Sequence, residues 1–125
     1  MVRPPWGAVL AIDPVTGKTK WKKPIGILPA LRKNPHAREW GAPVRGGTTA
    51  TRTGLIFSAG TSDKGFRAIS TDTGATLWET HLPGNGNATP MTYMSSRSHR
   101  QYVVICAGQP GDYVVAFALG RPVKK

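Results

Sequence analysis

The sequence is poor in cysteine and in long apolar runs, and each shortage excludes a class of protein. Its single cysteine, Cys106, cannot form a disulfide within the chain. We expect this thiol to be buried and inert, because it lies in the apolar run YVVICAG. No apolar run reaches roughly 18 residues, so no membrane-spanning helix is predicted. The N-terminal residues MVRPPWG lack an apolar core, so we expect no signal peptide in this chain.

Acidic residues are also scarce, with 6 Asp and Glu against 17 Lys and Arg and a formal net charge of +11. A basic chain can indicate a nucleic-acid-binding protein. The excess lies at the two ends, however: residues 1–45 hold nine basic and two acidic groups, and residues 46–96 hold three of each. No basic helix with interleaved aromatic residues is present. We therefore interpret the ends as solvated and expect no nucleic-acid partner.

Helical periodicity is absent, and what the chain has instead is short β-like runs. Runs rich in β-branched and aromatic residues alternate with Gly, Pro, Asn and Asp. They predict nine strands, at 9–13, 19–23, 48–51, 55–60, 66–70, 76–82, 88–94, 101–108 and 112–119. The stretch 25–45 holds three prolines and no clear alternation, so it predicts a long connection, which in a compact domain is usually functional.

One short pattern occurs twice, as AIDPVTGKTKW from Ala11 and as AISTDTGATLW from Ala68, 57 residues later. Each copy predicts a hairpin whose glycine, Gly17 or Gly74, supplies the positive φ of the turn. The closing tryptophans, Trp21 and Trp78, are predicted to pack against the neighbouring unit. A period of this length built from short antiparallel strands is typical of a propeller blade.

The strand count predicts an all-β, partial β-propeller: one complete four-stranded blade plus two part-blades. We expect a single propeller fragment over 1–125, with segments at 1–24 (end of one blade), 25–46 (long connection), 47–82 (complete blade), 88–119 (start of the last blade) and 120–125 (basic tail). The part-blades would leave apolar faces and strand edges open, so the isolated chain is expected to self-associate or to remain partly unfolded.

Three stretches of the sequence resemble a known family. PPWGAVLAIDPVTGKTKWKKPIG, LPGNGNATPMTY and QYVVICAG resemble the C-terminal part of the quinoprotein dehydrogenases of the membrane-bound glucose and quinate type. That family consists of eight-bladed propellers that hold pyrroloquinoline quinone (PQQ) with Ca²⁺ or Mg²⁺. The resemblance implies oxidation of a sugar, polyol or alcohol, with electrons passing to a quinone or cytochrome. It also implies a periplasmic, inner-membrane-associated enzyme.

The same resemblance implies which site residues this chain holds. The family's catalytic aspartate and metal ligands lie in earlier blades, so none is expected here and the fragment alone is expected to be inactive. Two cofactor-side loops do match, at 42–47 and 107–112. They imply cofactor-binding residues at Val44, Arg45, Gly46, Gly108 and Gln109, with Arg45 able to pair with a PQQ carboxylate.

Alternatives remain open beside this reading. The same hairpins occur in non-catalytic propeller scaffolds, so a binding module is the second hypothesis. Glucose-dehydrogenase relatives carry a longer histidine-containing loop where this chain has only Gln109 and Pro110, which puts glucose-type activity in doubt. Asp63 is interpreted as a turn cap, and His36 with Glu39 falls short of a metal site.

Overall fold

The computed structural model describes residues 2–108 and 112–120, and it contains three antiparallel sheets that follow one another along the chain. The first sheet pairs β1 (Ala8–Ile12) with β2 (Thr19–Pro24). The second is ordered β3 (Thr48–Ala50), β4 (Leu55–Ser58), β5 (Gly65–Ser70) and β6 (Thr76–His81). The third is ordered β7 (Met91–Met94), β8 (Gln101–Ala107) and β9 (Tyr113–Ala118). The predicted complete four-stranded blade between two part-blades is confirmed.

The connection between the first two sheets contains two short helical segments, a 3₁₀ turn at Pro29–Leu31 and α1 at Ala37–Trp40. Backbone hydrogen bonds fix its ends: Trp6 N–H donates to the Trp40 carbonyl at 2.7 Å, and Ala42 N–H donates to the Ile25 carbonyl at 2.7 Å. Among the described residues no helix has the length and apolar character that crossing a membrane would require.

The core lies between the second and third sheets and follows from strand alternation. Every second residue of β8 faces the neighbouring sheet, which buries Val103, Ile105 and Ala107. From the second sheet, Ala59, Phe66 and Leu82 complete this cluster.

The two repeated tryptophans reach into the sheet that follows their own. Trp21 of β2 donates its indole N–H to the Thr71 carbonyl at 2.8 Å, in the β5–β6 turn. Trp78 of β6 meets Phe117 of β9 edge to face, with ring centroids 5.2 Å apart. Their predicted role as contacts between blades is therefore confirmed, and both contacts run in the same direction along the chain.

The prediction that Cys106 is buried is wrong, because this side chain is exposed. The run YVVICAG is apolar on both faces of β8, but only one of these faces packs against the second sheet. Cys106 lies on the other face, opposite Val114 of β9. The apolar run of β8 therefore did not indicate that both faces of this strand are buried.

Candidate cofactor-side cleft

The first predicted loop, 42–47, packs against the end of β4 as it enters β3. Arg45 donates its backbone N–H to the Gly60 carbonyl at 3.0 Å, and Val44 forms an isolated bridge with Thr61. The predicted loop therefore lies against Gly60 and Thr61 at one end of the complete blade.

Two glycines allow these backbones to approach. Gly60 has φ +84°, and a Cβ on it would lie 2.2 Å from the Gly46 nitrogen. A Cβ on Gly46 would in turn lie 2.8 Å from the Gly86 carbonyl oxygen. Glycine is thus required where the ends of the second and third sheets converge.

The segment between β6 and β7 joins the two predicted loops. Asn85 donates its backbone N–H to the Gly108 carbonyl at 2.6 Å, and Gly108 donates back to Asn85 at 3.0 Å. Gly86 is wedged inward, since a Cβ there would lie 2.7 Å from Leu82 Cδ1 and 2.9 Å from Ala59 Cβ. This inward glycine leaves its neighbours Asn85 and Asn87 at the surface of a cleft.

The cleft consists of two adjoining concavities of about 380 and 420 Å³. Both are lined by Arg45, Asn85 and Asn87. The first adds Leu28, Pro43, Gly60, Thr61 and Ser62, and the second adds Ala88, Cys106 and Gly108. Arg45 is the one charged residue among these described lining residues, so the cleft favours an anionic ligand.

The structure brings together some of the sequence-predicted site residues. Arg45 and Gly108 line the cleft, whereas Val44 and Gly46 lie beside it in the backbone that shapes its rim. Gln109 lies outside the described residues.

Sequence reasoning missed Asn85 and Asn87. The only available signal was the pattern GNGNA, in which a central glycine separates two amides between predicted strands.

Beneath one side of the cleft lies a buried ion pair that the sequence did not predict. Asp63 accepts hydrogen bonds from Ile27 N–H at 2.9 Å and Gly65 N–H at 3.0 Å, and it pairs with Arg67 at 2.6 Å. Arg67 also contacts Thr61 Oγ1 at 2.9 Å and Glu79 at 3.0 Å.

Burial acts to raise the pKa of Asp63, but the hydrogen bonds from Thr61 and Gly65 and the Arg67 guanidinium outweigh it. The pKa of Asp63 is therefore lower than usual, and the carboxylate stays ionised. The structure agrees with the interpretation of Asp63 as a turn cap, and it adds an ion pair that fastens the connection to the blade.

His36 and Glu39 form an exposed pair, with 3.2 Å between His36 Nδ1 and the Glu39 carboxylate. Within 2–108 and 112–120, no group of three or more potential metal-ligating side chains comes together.

Comparison with known proteins shows which family the chain resembles. Residues 1–103 match the model of the PQQ family described as the glucose/ethanol/alcohol dehydrogenase β-propeller domain. The chain is 39% identical to the quinate/shikimate dehydrogenase (quinone) of Acinetobacter baylyi over 95% of its length. It is 39% identical to the quinoprotein glucose dehydrogenase of Escherichia coli over 98% of its length.

Comparison with a solved structure places the fold in the same family. The quinohemoprotein alcohol dehydrogenase of Comamonas testosteroni superimposes with a TM-score of 0.69 and 26% identity, covering 95% of this chain and 18% of that one. The chain spans 16% of the length of each of the two curated relatives. Its three sheets therefore correspond to part of a propeller, and the chain belongs to the family of PQQ-dependent dehydrogenases.

Proposed function

We propose that this chain forms one wall of the PQQ site in a dehydrogenase that oxidises a hydroxyl group of a sugar, polyol or alcohol. The observation that carries this proposal is the cleft where the two predicted loops converge, with Arg45 as the only charge among its described lining residues. In the complete enzyme, electrons would pass to a quinone or a cytochrome.

The donors in the cleft suit a ligand that bears carboxylates. A guanidinium presents a planar fork of N–H groups to a carboxylate, and the amides of Asn85 and Asn87 can donate further hydrogen bonds. The described lining residues include no acidic side chain, so none of them would repel such a ligand. Arg45, with the backbone of Val44, Gly46 and Gly108, would hold the cofactor, and Gln109 is included by resemblance.

The chain's own contribution is binding and orientation. PQQ, when bound, supplies the redox chemistry by accepting two electrons from the substrate alcohol. No carboxylate or imidazole lines the described part of the cleft, so these residues provide no general base. We place the catalytic aspartate and the ligands of Ca²⁺ or Mg²⁺ in other blades of the complete enzyme, which we propose to be periplasmic and associated with the inner membrane.

Titration of the chain with PQQ and Ca²⁺, followed by tryptophan fluorescence, tests this proposal. We expect Arg45→Gln to weaken binding roughly tenfold, because it removes a hydrogen-bonded charge. Arg52→Gln is the matched control, since Arg52 is exposed and does not line the cleft. Equal affinity of the two variants would contradict the assignment of Arg45.

A second readout uses the exposed Cys106 thiol, which lines the cleft. PQQ bound in the cleft should slow alkylation of Cys106 by iodoacetamide. A chain that binds no PQQ in either assay would instead support a non-catalytic propeller module.

We also expect the purified chain, even with PQQ and Ca²⁺, to show no alcohol- or sugar-dependent dye reduction. Positioning of the substrate against a base and a metal is what such a site contributes, and those groups are assigned to other blades. Measurable turnover by the isolated chain would contradict this prediction.

A further inference from the structure

The hairpin of the first sheet carries a dense group of exposed cationic residues beside an exposed apolar tip. Val15, in the turn, is 91% exposed. The lysines of this hairpin are all exposed, at Lys18, Lys20, Lys22 and Lys23. We call these five residues the hairpin patch.

The patch holds uncompensated positive charge. Asp13 is the only acidic residue between Ala8 and Pro24, and its carboxylate accepts hydrogen bonds from Val15 N–H and the Thr16 hydroxyl, both at 2.9 Å. None of the ion pairs found among the described residues involves a patch lysine.

The internal repeat shows that the fold does not require these charges. With the offset of 57 residues, Lys18, Lys20, Lys22 and Lys23 correspond to Ala75, Leu77, Glu79 and Thr80. The second hairpin adopts the same register with a bulge at the same place, Ala11/Ile12 in one copy and Ala68/Ile69 in the other. Another reason for the four lysines is therefore needed.

The repeat also shows which patch residues would remain accessible beside a further blade. The second sheet has a neighbour on each side, yet Asp72, Ala75 and Leu77 are exposed. These positions correspond to Val15, Lys18 and Lys20, so a preceding blade packed in the same way would leave them open.

The other exposed apolar residues of this hairpin behave differently. Leu10 and Ile12 correspond to the buried Arg67 and Ile69. They belong to a face between blades and are not part of the patch.

We propose that the hairpin patch docks on the surface of an anionic lipid bilayer. An exposed valine can enter the headgroup region, while lysine stems lie along it and their ammonium groups meet lipid phosphates.

A nucleic acid would use the lysines but gain nothing from an apolar tip. The one aromatic ring of this hairpin, Trp21, is occupied by its contact with the next sheet and offers no stacking platform. This inference rests on the membrane association included in the proposed function and names the surface that would make the contact; it needs neither cofactor nor substrate and can fail while PQQ binding holds.

Vesicle flotation tests the proposal, because bound chain rises with the lipid while self-associated chain does not. We expect binding to phosphatidylcholine vesicles that contain phosphatidylglycerol and none to phosphatidylcholine alone. Lys18→Gln combined with Lys20→Gln should weaken binding by roughly 30-fold, given the attraction of each lysine to an anionic surface. Arg52→Gln combined with Arg97→Gln removes the same charge from exposed sites elsewhere and should retain most of the binding.

The variant Val15→Ser distinguishes binding to a bilayer from binding to other polyanions. It should weaken vesicle binding several-fold and leave any binding to duplex DNA unchanged. An equal loss of vesicle binding in both double variants would show that net charge alone determines binding. Binding to DNA without binding to vesicles would favour a nucleic acid as the partner. Either result would overturn the proposal, provided that all variants keep the thermal transition of the parent chain.

Discussion

At the scale of single residues, the pair of Asp63 and Arg67 matters most for the integrity of the cleft. Both side chains are almost fully buried, and Arg67 also contacts Thr61, which lines the cleft. Breaking a buried pair by neutralising one partner leaves the other charge uncompensated.

We therefore expect Asp63→Asn to lower the free energy of unfolding by about 3 kcal/mol at neutral pH. The folded-state pKa of Asp63 is lowered, so its contribution is present above the unfolded value of about 3.9 and is lost as pH falls through the folded value. The difference between parent and variant, measured by urea unfolding from pH 7 downwards, should therefore shrink in acid. Asp72→Asn is the control, because Asp72 is exposed in the repeated turn. A difference that stays constant with pH would contradict the assigned role.

The sequence could identify Asp63 only in part. Its place in TSDKG, which resembles a turn of the family, predicted a turn cap, and the contact that it makes with Gly65 is local. Its contact with Ile27 crosses 36 residues, and the pairing of Arg67 with Glu79 depends on the register of β5 and β6. Local pattern carries no information about such contacts. The same limit explains why Asn85 and Asn87 were missed, since they line the cleft only after Gly86 has packed inward.

At the scale of elements, the two hairpins form the same turn although a different residue begins it in each copy. Asp13 accepts two hydrogen bonds of 2.9 Å in the first turn, whereas Ser70 in the second makes longer ones of 3.3 and 3.4 Å. The turn forms with either residue, because glycine with positive φ follows four positions later in both copies.

The two turn glycines provide a matched pair for mutagenesis. Gly17 has φ +69° with open space around it, so Gly17→Ala should cost about 1 kcal/mol for the left-handed backbone. Gly74 has φ +73°, and a Cβ there would lie 2.8 Å from Trp21 Cε3. Gly74→Ala should therefore cost roughly 1–3 kcal/mol more, through displacement of the ring. Equal shifts in urea midpoint for the two variants would show that Trp21 does not hold the second turn.

The strands were predictable to within a few residues because period-two alternation and turn glycines are local signals. Burial was less predictable, as Cys106 shows. An apolar strand can face a neighbour on one side only, and which side is covered depends on the arrangement of whole sheets.

At the scale of the whole molecule, the two outer sheets present uncovered apolar surface. Met91, Met94 and Val114 of the third sheet are 55%, 64% and 76% exposed, and Leu10 and Ile12 of the first are 47% and 53% exposed. Exposed apolar surface beside open strand edges promotes association.

We therefore predict that the chain self-associates in size-exclusion chromatography with light scattering, more strongly as salt screens its net charge of +11. Val114→Lys, on the exposed face of β9, should shift the distribution towards the monomer. A single monomeric species at all salt concentrations, with a cooperative thermal transition, would contradict this prediction.

The direction of the tryptophan contacts has a consequence for any such assembly. Trp21 and Trp78 both reach forward into the following sheet, so a junction between copies built in the same way joins the tail of one chain to the head of the next. A heterologous junction of this kind closes into a ring only at a fitting rotation and otherwise continues as an open filament. Every open assembly then has two chemically different ends. A small proportion of chains with one disabled face would terminate growth at one end and leave the other free.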